Sequence, residues 1–265
     1  MSARQEQGPS MNGSFGGRGV LVIGGGGIGS QVCRDLAAAG ARVYFTYFSN
    51  AATVAELTAA LPAGSCAGYA ALDATDDAAV EHVVATATRE LGGVDTLVVT
   101  AGHRHPLALF QETTAATAAG ILNTELGGPM NAVRAALPAM VAAGFGRIVL
   151  VGSDSGKTGS VGDAASAAAR GGLIAFAKSI ARENAAADIT VNVVCPGPTD
   201  TDLLAGMTAA EGLTGKVMNA VVRAVPKRRL GSVAEISGAV IYLAGADAGF
   251  VTGQAVSVSG GLTMQ

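Results

Sequence analysis

Gly19-Val20-Leu21-Val22-Ile23-Gly24-Gly25-Gly26-Gly27-Ile28-Gly29-Ser30 is the stretch whose reading decides the fold. Val20 to Ile23 is short, apolar and largely β-branched, as suits a strand buried on both faces. Ile28, Val32 and Leu36 then recur at i, i+4 and i+8, the stripe of an amphipathic helix, and Gly40 follows as a C′ residue. The four consecutive glycines therefore lie on a strand-to-helix turn. Gly24, Gly26 and Gly29 fit G-x-G-x-x-G, in which one glycine makes the tight turn, one admits a pyrophosphate and one lets helix and strand pack closely. The helix N-terminus then offers free N–H groups to the phosphates. A ligand-free glycine turn would show a similar run, but the strand before it and the helix after it match what dinucleotide binding requires.

Outward from this unit the pattern alternates. Strands are expected at 42–46, 68–72, 94–100, 147–151, 189–195 and 255–258, and helices at 51–61, 78–91, 164–186 and 232–244. A long helical region spans 114–143, interrupted around Gly127-Gly128-Pro129, and 200–225 is a helical excursion. Alternating β and α units give an α/β fold: a single-domain Rossmann-like, doubly wound parallel sheet of about seven strands with helices on both faces. Ligands then sit beyond the carboxyl ends of the strands. Those ends carry Gly24 to Ser30, Asp73, Thr100 to His105, Gly152 to Lys157, and Pro196 to Asp202.

Of the 265 residues, 49% are hydrophobic and only 14% charged, which allows a large core of small side chains. The net charge of −3, with no basic run longer than Lys227-Arg228-Arg229, leaves no electrostatic footprint for nucleic acid. Cys33, Cys66 and Cys195 lack metal-ligand spacing and read as reduced cysteines of a cytoplasmic protein. No apolar run reaches the roughly 18 residues of a membrane span, and no signal peptide is expected. Residues 1–17, rich in Gly, Ser and Gln, read as a mobile tail, and 18–265 as one domain.

Asp95-Thr96-Leu97-Val98-Val99-Thr100-Ala101-Gly102, Leu72-Asp73, Asn192 to Thr201 with its Pro196-Gly197, and Arg229 to Gly261 resemble the short-chain dehydrogenase/reductase family over nearly the whole chain. The resemblance implies an NAD(P)-dependent oxidoreductase of carbonyl-reductase or alcohol-dehydrogenase type. Its cofactor contacts would be Gly24, Gly26, Ile28, Gly29, Thr46, Ser49, Asp73, Ala101, Gly102, Arg170, Pro196, Gly197, Thr199 and Thr201. It also implies a dimer or homotetramer formed through the two long helices, and places a structural and proton-relay Asn at Asn123. Two departures stand out. The glycine loop is one residue shorter than the family's. The family's catalytic Ser, Tyr and Lys fall on Ser153, Ser166 and Arg170, with twelve residues and then three intervening. An aliphatic hydroxyl lacks the phenol's pKa near 10, and an arginine does not give up its proton.

Each candidate has a plainer reading beside it. Ser153 is an oxyanion-type donor or a turn residue. Ser166 is a packing replacement or part of the centre. Arg170, one helical turn on and so on the same face, contacts cofactor or substrate or is an exposed charge. Asn123 relays protons or kinks its helix. His103 and His105 follow strand four and are candidate substitute acids, since imidazole exchanges protons near neutral pH; His82 lies on an outer helix. Lys157 reaches substrate or is solvated, and Asp200 and Asp202 cap the helix that follows them. The end of strand two, Thr46-Tyr47-Phe48-Ser49-Asn50, offers neither an acid for a ribose 2′-OH nor a base for a 2′-phosphate; NADP is favoured over NAD. The competing functions are a non-redox enzyme (lyase, isomerase or dehalogenase-like) and a non-catalytic dinucleotide-binding protein on the same fold. A small-molecule substrate is the expected partner.

Overall fold

The computed structural model describes residues 15–49, 51–100, 102 and 105–265. Seven parallel strands form one sheet: β1 (Gly19–Ile23), β2 (Arg42–Tyr47), β3 (Cys66–Ala71), β4 (Thr96–Val99), β5 (Phe145–Val151), β6 (Asp188–Pro196) and β7 (Ala255–Val258). Their order is β3-β2-β1-β4-β5-β6-β7. The order reverses between β1 and β4, which pair in register from Val20↔Thr96 to Ile23↔Val99. A crevice opens at the carboxyl ends there, the place such sheets offer a ligand.

The helices are α1 (Ile28–Ala38), α2 (Ala51–Ala60), α3 (Asp77–Leu91), α4 (Ala115–Leu122), α5 (Gly128–Ala143), α6 (Ser155–Thr158), α7 (Ala164–Glu183), α8 (Asp202–Ala209), α9 (Gly212–Ala224) and α10 (Val233–Ala244). They cover both faces. Leu21 and Ile23 of β1 face α3, α5 and α7 through Val80, Val84, Ala132, Met140, Leu173 and Ala177. Val20 and Val22 face α1 and α10 through Val32, Leu36, Ile236 and Val240. Because strand side chains alternate, a strand apolar at every position is one covered on both sides. Burying each of the Val, Leu, Ile and Met side chains among these fully contributes about 1.5–3 kcal/mol.

Phe15 is also buried, its N–H donating to the Ala39 carbonyl, so the folded domain begins no later than this residue. The expected tail through residue 14 lies outside the described residues. The expected break at Gly127-Gly128-Pro129 is instead a π-helical turn, Asn123–Gly127, that joins α4 to α5 without leaving helical geometry. Pro129 lacks an N–H and stands in the first turn of α5. The wider turn, closed by the Gly128 N–H on the Asn123 carbonyl, accommodates that missing donor. The excursion at 200–225 resolves into α8 and α9. Thr201 caps α8 by accepting from the Leu204 N–H, so neither Asp200 nor Asp202 is the cap.

Candidate active site

The crevice is built first by the glycine loop. The Gly25 N–H donates to the Thr46 carbonyl at 2.6 Å, and the Gly24 N–H to Thr46 Oγ1 at 3.2 Å. The shortened loop is thus tied down onto the end of β2, and the Thr46 hydroxyl is committed to it. A Cβ on Gly29 would overlap the Gly24 carbonyl oxygen and lie 2.6 Å from Thr100 Oγ1. Gly29 is therefore the glycine that lets helix and strand pack closely. Gly26 and Gly27 are exposed, and a Cβ on either would meet nothing within 4 Å. No side chain caps the N-terminus of α1. An open loop ahead of an uncapped helix start fits a dinucleotide pyrophosphate. Ile28, half-buried, opens α1 behind the loop.

Around the rim, Ser49 is exposed past β2, and exposed Asp73 follows β3, its Oδ1 accepting from the Thr75 N–H and hydroxyl. Gly102 is exposed, and a Cβ there would lie 3.2 Å from Arg170 Nη2. Pro196 and Gly197 end β6, with Gly197 packed on Ser259. Thr199 donates its hydroxyl to the Gly197 carbonyl at 2.9 Å, and Thr201 to that of Thr199 at 3.3 Å, so both hydroxyls shape the loop itself. Ala101 and His103 lie outside the described residues.

Across the crevice, the positions expected to carry the chemistry form one closed cluster. Ser166 and Arg170 share a face of α7, as their spacing requires, and both turn to Glu125 of the π turn. Ser166 Oγ donates to Glu125 Oε2 at 2.6 Å. Arg170 clamps the same carboxylate twice, Nε to Oε2 at 3.0 Å and Nη2 to Oε1 at 2.9 Å. Arg170 Nη1 donates to the carbonyls of Val151 and Gly152 at the end of β5. Glu125 is 2% exposed and Ser166 5%, so this is a buried, bidentate charge pair with a hydroxyl attached. Asn123, in contrast, is exposed, its Oδ1 lying over Gly127. The helix position that faces α7 belongs to Glu125, two residues on, and Asn123 only opens the π turn. Glu125 was legible in one respect: it is the only acid between Thr114 and Ala143, and a buried Arg170 needs an acid.

Ser153 is half-buried after β5 and accepts from both the N–H and the hydroxyl of Ser155. Lys157 is neither solvated nor aimed at a ligand: its Nζ donates to the carbonyls of Ala255 and Gln265 and to Ser257 Oγ, bracing β7. His105 pairs with Asp163, Nε2 to Oδ1 at 2.8 Å, their side chains only 12% and 17% exposed. Burial pushes the Cys195 thiol, at the end of β6, up to about 11, which keeps it protonated and inert near neutral pH. Among the described residues no group of His, Cys, Asp and Glu could hold a metal ion, and no helix is long and apolar enough to cross a membrane.

A parallel sheet in this order with a glycine loop at its switch point defines a doubly wound, Rossmann-like α/β fold. Residues 22–263 match the family described as "Enoyl-(Acyl carrier protein) reductase". The chain belongs to the short-chain dehydrogenase/reductase family. It is 37% identical over 254 residues to the 3-oxoacyl-[acyl-carrier-protein] reductase FabG of Escherichia coli (strain K12), covering 95% of this chain and 99% of that one. It is 35% identical over 246 residues to the acetoacetyl-CoA reductase of Shinella zoogloeoides, covering 91% and 97%. Among solved structures it is similar to levodione reductase, with a TM-score of 0.87, 26% identity and coverage of 93% of this chain and 98% of that one.

Proposed function

We propose that this protein is an NADP(H)-dependent oxidoreductase acting on a small carbonyl compound, and that its proton does not come from the position the family uses. The observation that carries the reading is the Ser166–Glu125–Arg170 cluster set beside an open glycine loop. The loop and the bare N-terminus of α1 remain suited to a dinucleotide, with Gly26, Ile28, Ser49, Asp73, Gly102 and Pro196 along its course. The cluster holds a serine hydroxyl bound to a carboxylate that a bidentate arginine keeps ionised, so it has no acidic proton to give at neutral pH. The bound dinucleotide supplies the hydride. Ser153, whose oxygen accepts from Ser155 while keeping its own hydrogen, stabilises the developing alkoxide by a hydrogen bond without transferring its proton. The names of the relatives point to 3-oxoacyl thioesters as substrates. Preference for NADP rests on the lack of an acid at the end of β2. A homotetramer or dimer through the two long helical stretches, α4–α5 and α7, in the cytoplasm, follows from the resemblance.

The test is NADPH and NADH binding by fluorescence, followed by consumption of NADPH with acetoacetyl-CoA and a panel of simple ketones. Binding with turnover is the expected result. Binding without turnover would overturn the catalytic reading in favour of a dinucleotide-binding protein, the second reading that the burial of Ser166 supports. Turnover of a substrate without cofactor consumption would point to a non-redox enzyme.

A further inference from the structure

The geometry points to His105, oriented by Asp163, as the residue that supplies the proton to the substrate oxygen, an inference that rests on the oxidoreductase reading above. Asp163 stands on the chain segment that leads directly into the closed cluster. His105 lies three residues beyond Gly102, which sits against Arg170 Nη2. Asp163 immediately precedes α7 and stands three residues before Ser166, a rise of about 4.5 Å along a helix. Asp163 is therefore about one helical turn before Ser166, and the loops after β4 and before α7 that carry the pair both lie at the carboxyl end of the sheet.

The surroundings hold it there. The Ala108 N–H donates to the Gly162 carbonyl at 3.0 Å, and the Leu107 N–H to Thr214 Oγ1 at 3.0 Å. A Cβ on Gly162 would meet Leu213 and Leu107 at 3.1 and 3.2 Å. The loop after β4, the loop before α7 and the start of α9 thus form one packed junction, which restricts the ring while leaving it partly open to solvent. Among the described residues, Asp163 is the carboxylate bonded to the imidazole. Its place at the start of α7 also suits a negative charge. A ring held through one nitrogen by a carboxylate is the arrangement that orients a histidine for proton transfer.

The step balances. The carbonyl carbon gains a hydride from the reduced nicotinamide, which is oxidised. The former C=O π pair takes the proton of the His105 imidazolium to form O–H. The ring is left neutral, bonded to Asp163, and is reprotonated from solvent. Ser166 and Arg170 keep their protons throughout, and Glu125 remains their acceptor.

The experiment compares wild type with His105→Gln and Asp163→Asn in the full chain, measuring NADPH affinity, melting temperature and the pH dependence of kcat. The expected result for His105→Gln is kcat lower by ~10²-fold, the usual worth of a positioned acid, with NADPH affinity unchanged and activity partly restored by added imidazole. In Asp163→Asn, where the amide keeps an acceptor but loses the charge, the fall of kcat with rising pH moves to lower pH. In the cofactor-free protein, the His105 ring resonance followed by NMR moves its titration the same way, which a pair serving only to staple two loops would leave to packing and not to charge. A pH profile and a ring titration that overlay those of wild type, or a His105→Gln enzyme as fast as wild type, would overturn the inference while leaving the reductase reading intact. NADPH binding with no turnover by wild type would overturn both.

Discussion

Ser166 Oγ donates to Glu125 Oε2 at 2.6 Å, and through that carboxylate the serine is coupled to Arg170. An arginine buried on a helix of small residues needs a counter-charge, and the π turn supplies one. Glu125→Gln leaves the guanidinium buried without its partner, which costs about 3–5 kcal/mol when such a pair is broken. The expected outcome is a large drop in melting temperature. The double variant Glu125→Leu with Arg170→Met recovers most of it, since two apolar groups leave no unpaired charge. A thermal-unfolding double-mutant cycle measures the coupling.

The glycine loop separates into glycines that shape the fold and glycines that leave room. Gly29→Val places a Cβ onto the Gly24 carbonyl and is expected to abolish soluble folded protein. Gly26→Val meets nothing in the protein, so circular dichroism and melting temperature should match wild type while NADPH affinity falls at least tenfold. Equal affinity for NADPH in Gly26→Val would remove the pyrophosphate from this loop.

At the end of β2 the Thr46 hydroxyl serves the loop, so cofactor choice is left to the exposed residues beyond it. Ser49→Asp adds a carboxylate that accepts from a ribose 2′-OH and repels a 2′-phosphate. The expected change is a shift of at least tenfold in the NADPH-to-NADH affinity ratio towards NADH. An unaltered ratio would place the ribose elsewhere.

The alternation of strands and helices was legible because the central strands carry runs of buried apolar residues and the first crossover carries a clear apolar stripe. Val20 to Ile23 and Ile148 to Val151 are buried throughout, as their composition requires. What escaped the sequence was direction within helices. Asn123 and Glu125 differ by two positions, about 200° around the axis, and only packing decides which one faces α7. The same holds for Thr201, whose capping of α8 was hidden between two aspartates that are equally good caps by type. Lys157 was unreadable for another reason: its partners on β7 and at Gln265 are about 100 residues distant in the chain.

Arg229 and Glu235 close the start of α10, where Ser232 and Glu235 form a reciprocal capping box. The hydrogen bonds from Arg229, with help from the Ser232 N–H, hold the Glu235 carboxyl down at about 2. The folded-state value lies below the ordinary one of 4.5, so this stabilising contribution is complete above that pH and is lost as pH falls towards 2. Glu235→Gln should therefore lower the melting temperature at pH 7, and the difference from wild type should shrink as pH drops from about 5 to about 2. A difference that stays constant over this range would show that charge is not what the pair contributes.

Restoring the family's chemistry requires three changes, not two. Ser166→Tyr with Arg170→Lys puts a phenol and an amine where the family carries them, but Glu125 remains buried on the facing turn. Its carboxylate would bind the new lysine and draw it from the cofactor ribose, and it would accept from the phenol and so hold the proton the substrate needs. Adding Glu125→Asn removes that charge and leaves a neutral side chain that can bond to either partner. The triple variant is expected to reduce acetoacetyl-CoA with NADPH at least ~10²-fold faster than the double variant, with a pH dependence that no longer responds to His105→Gln. Space for the phenol is the physical requirement, since Ser166 is buried against Glu125. If the double and triple variants have equal rates, Glu125 does not control this centre, and the cluster is only a packing solution for Arg170.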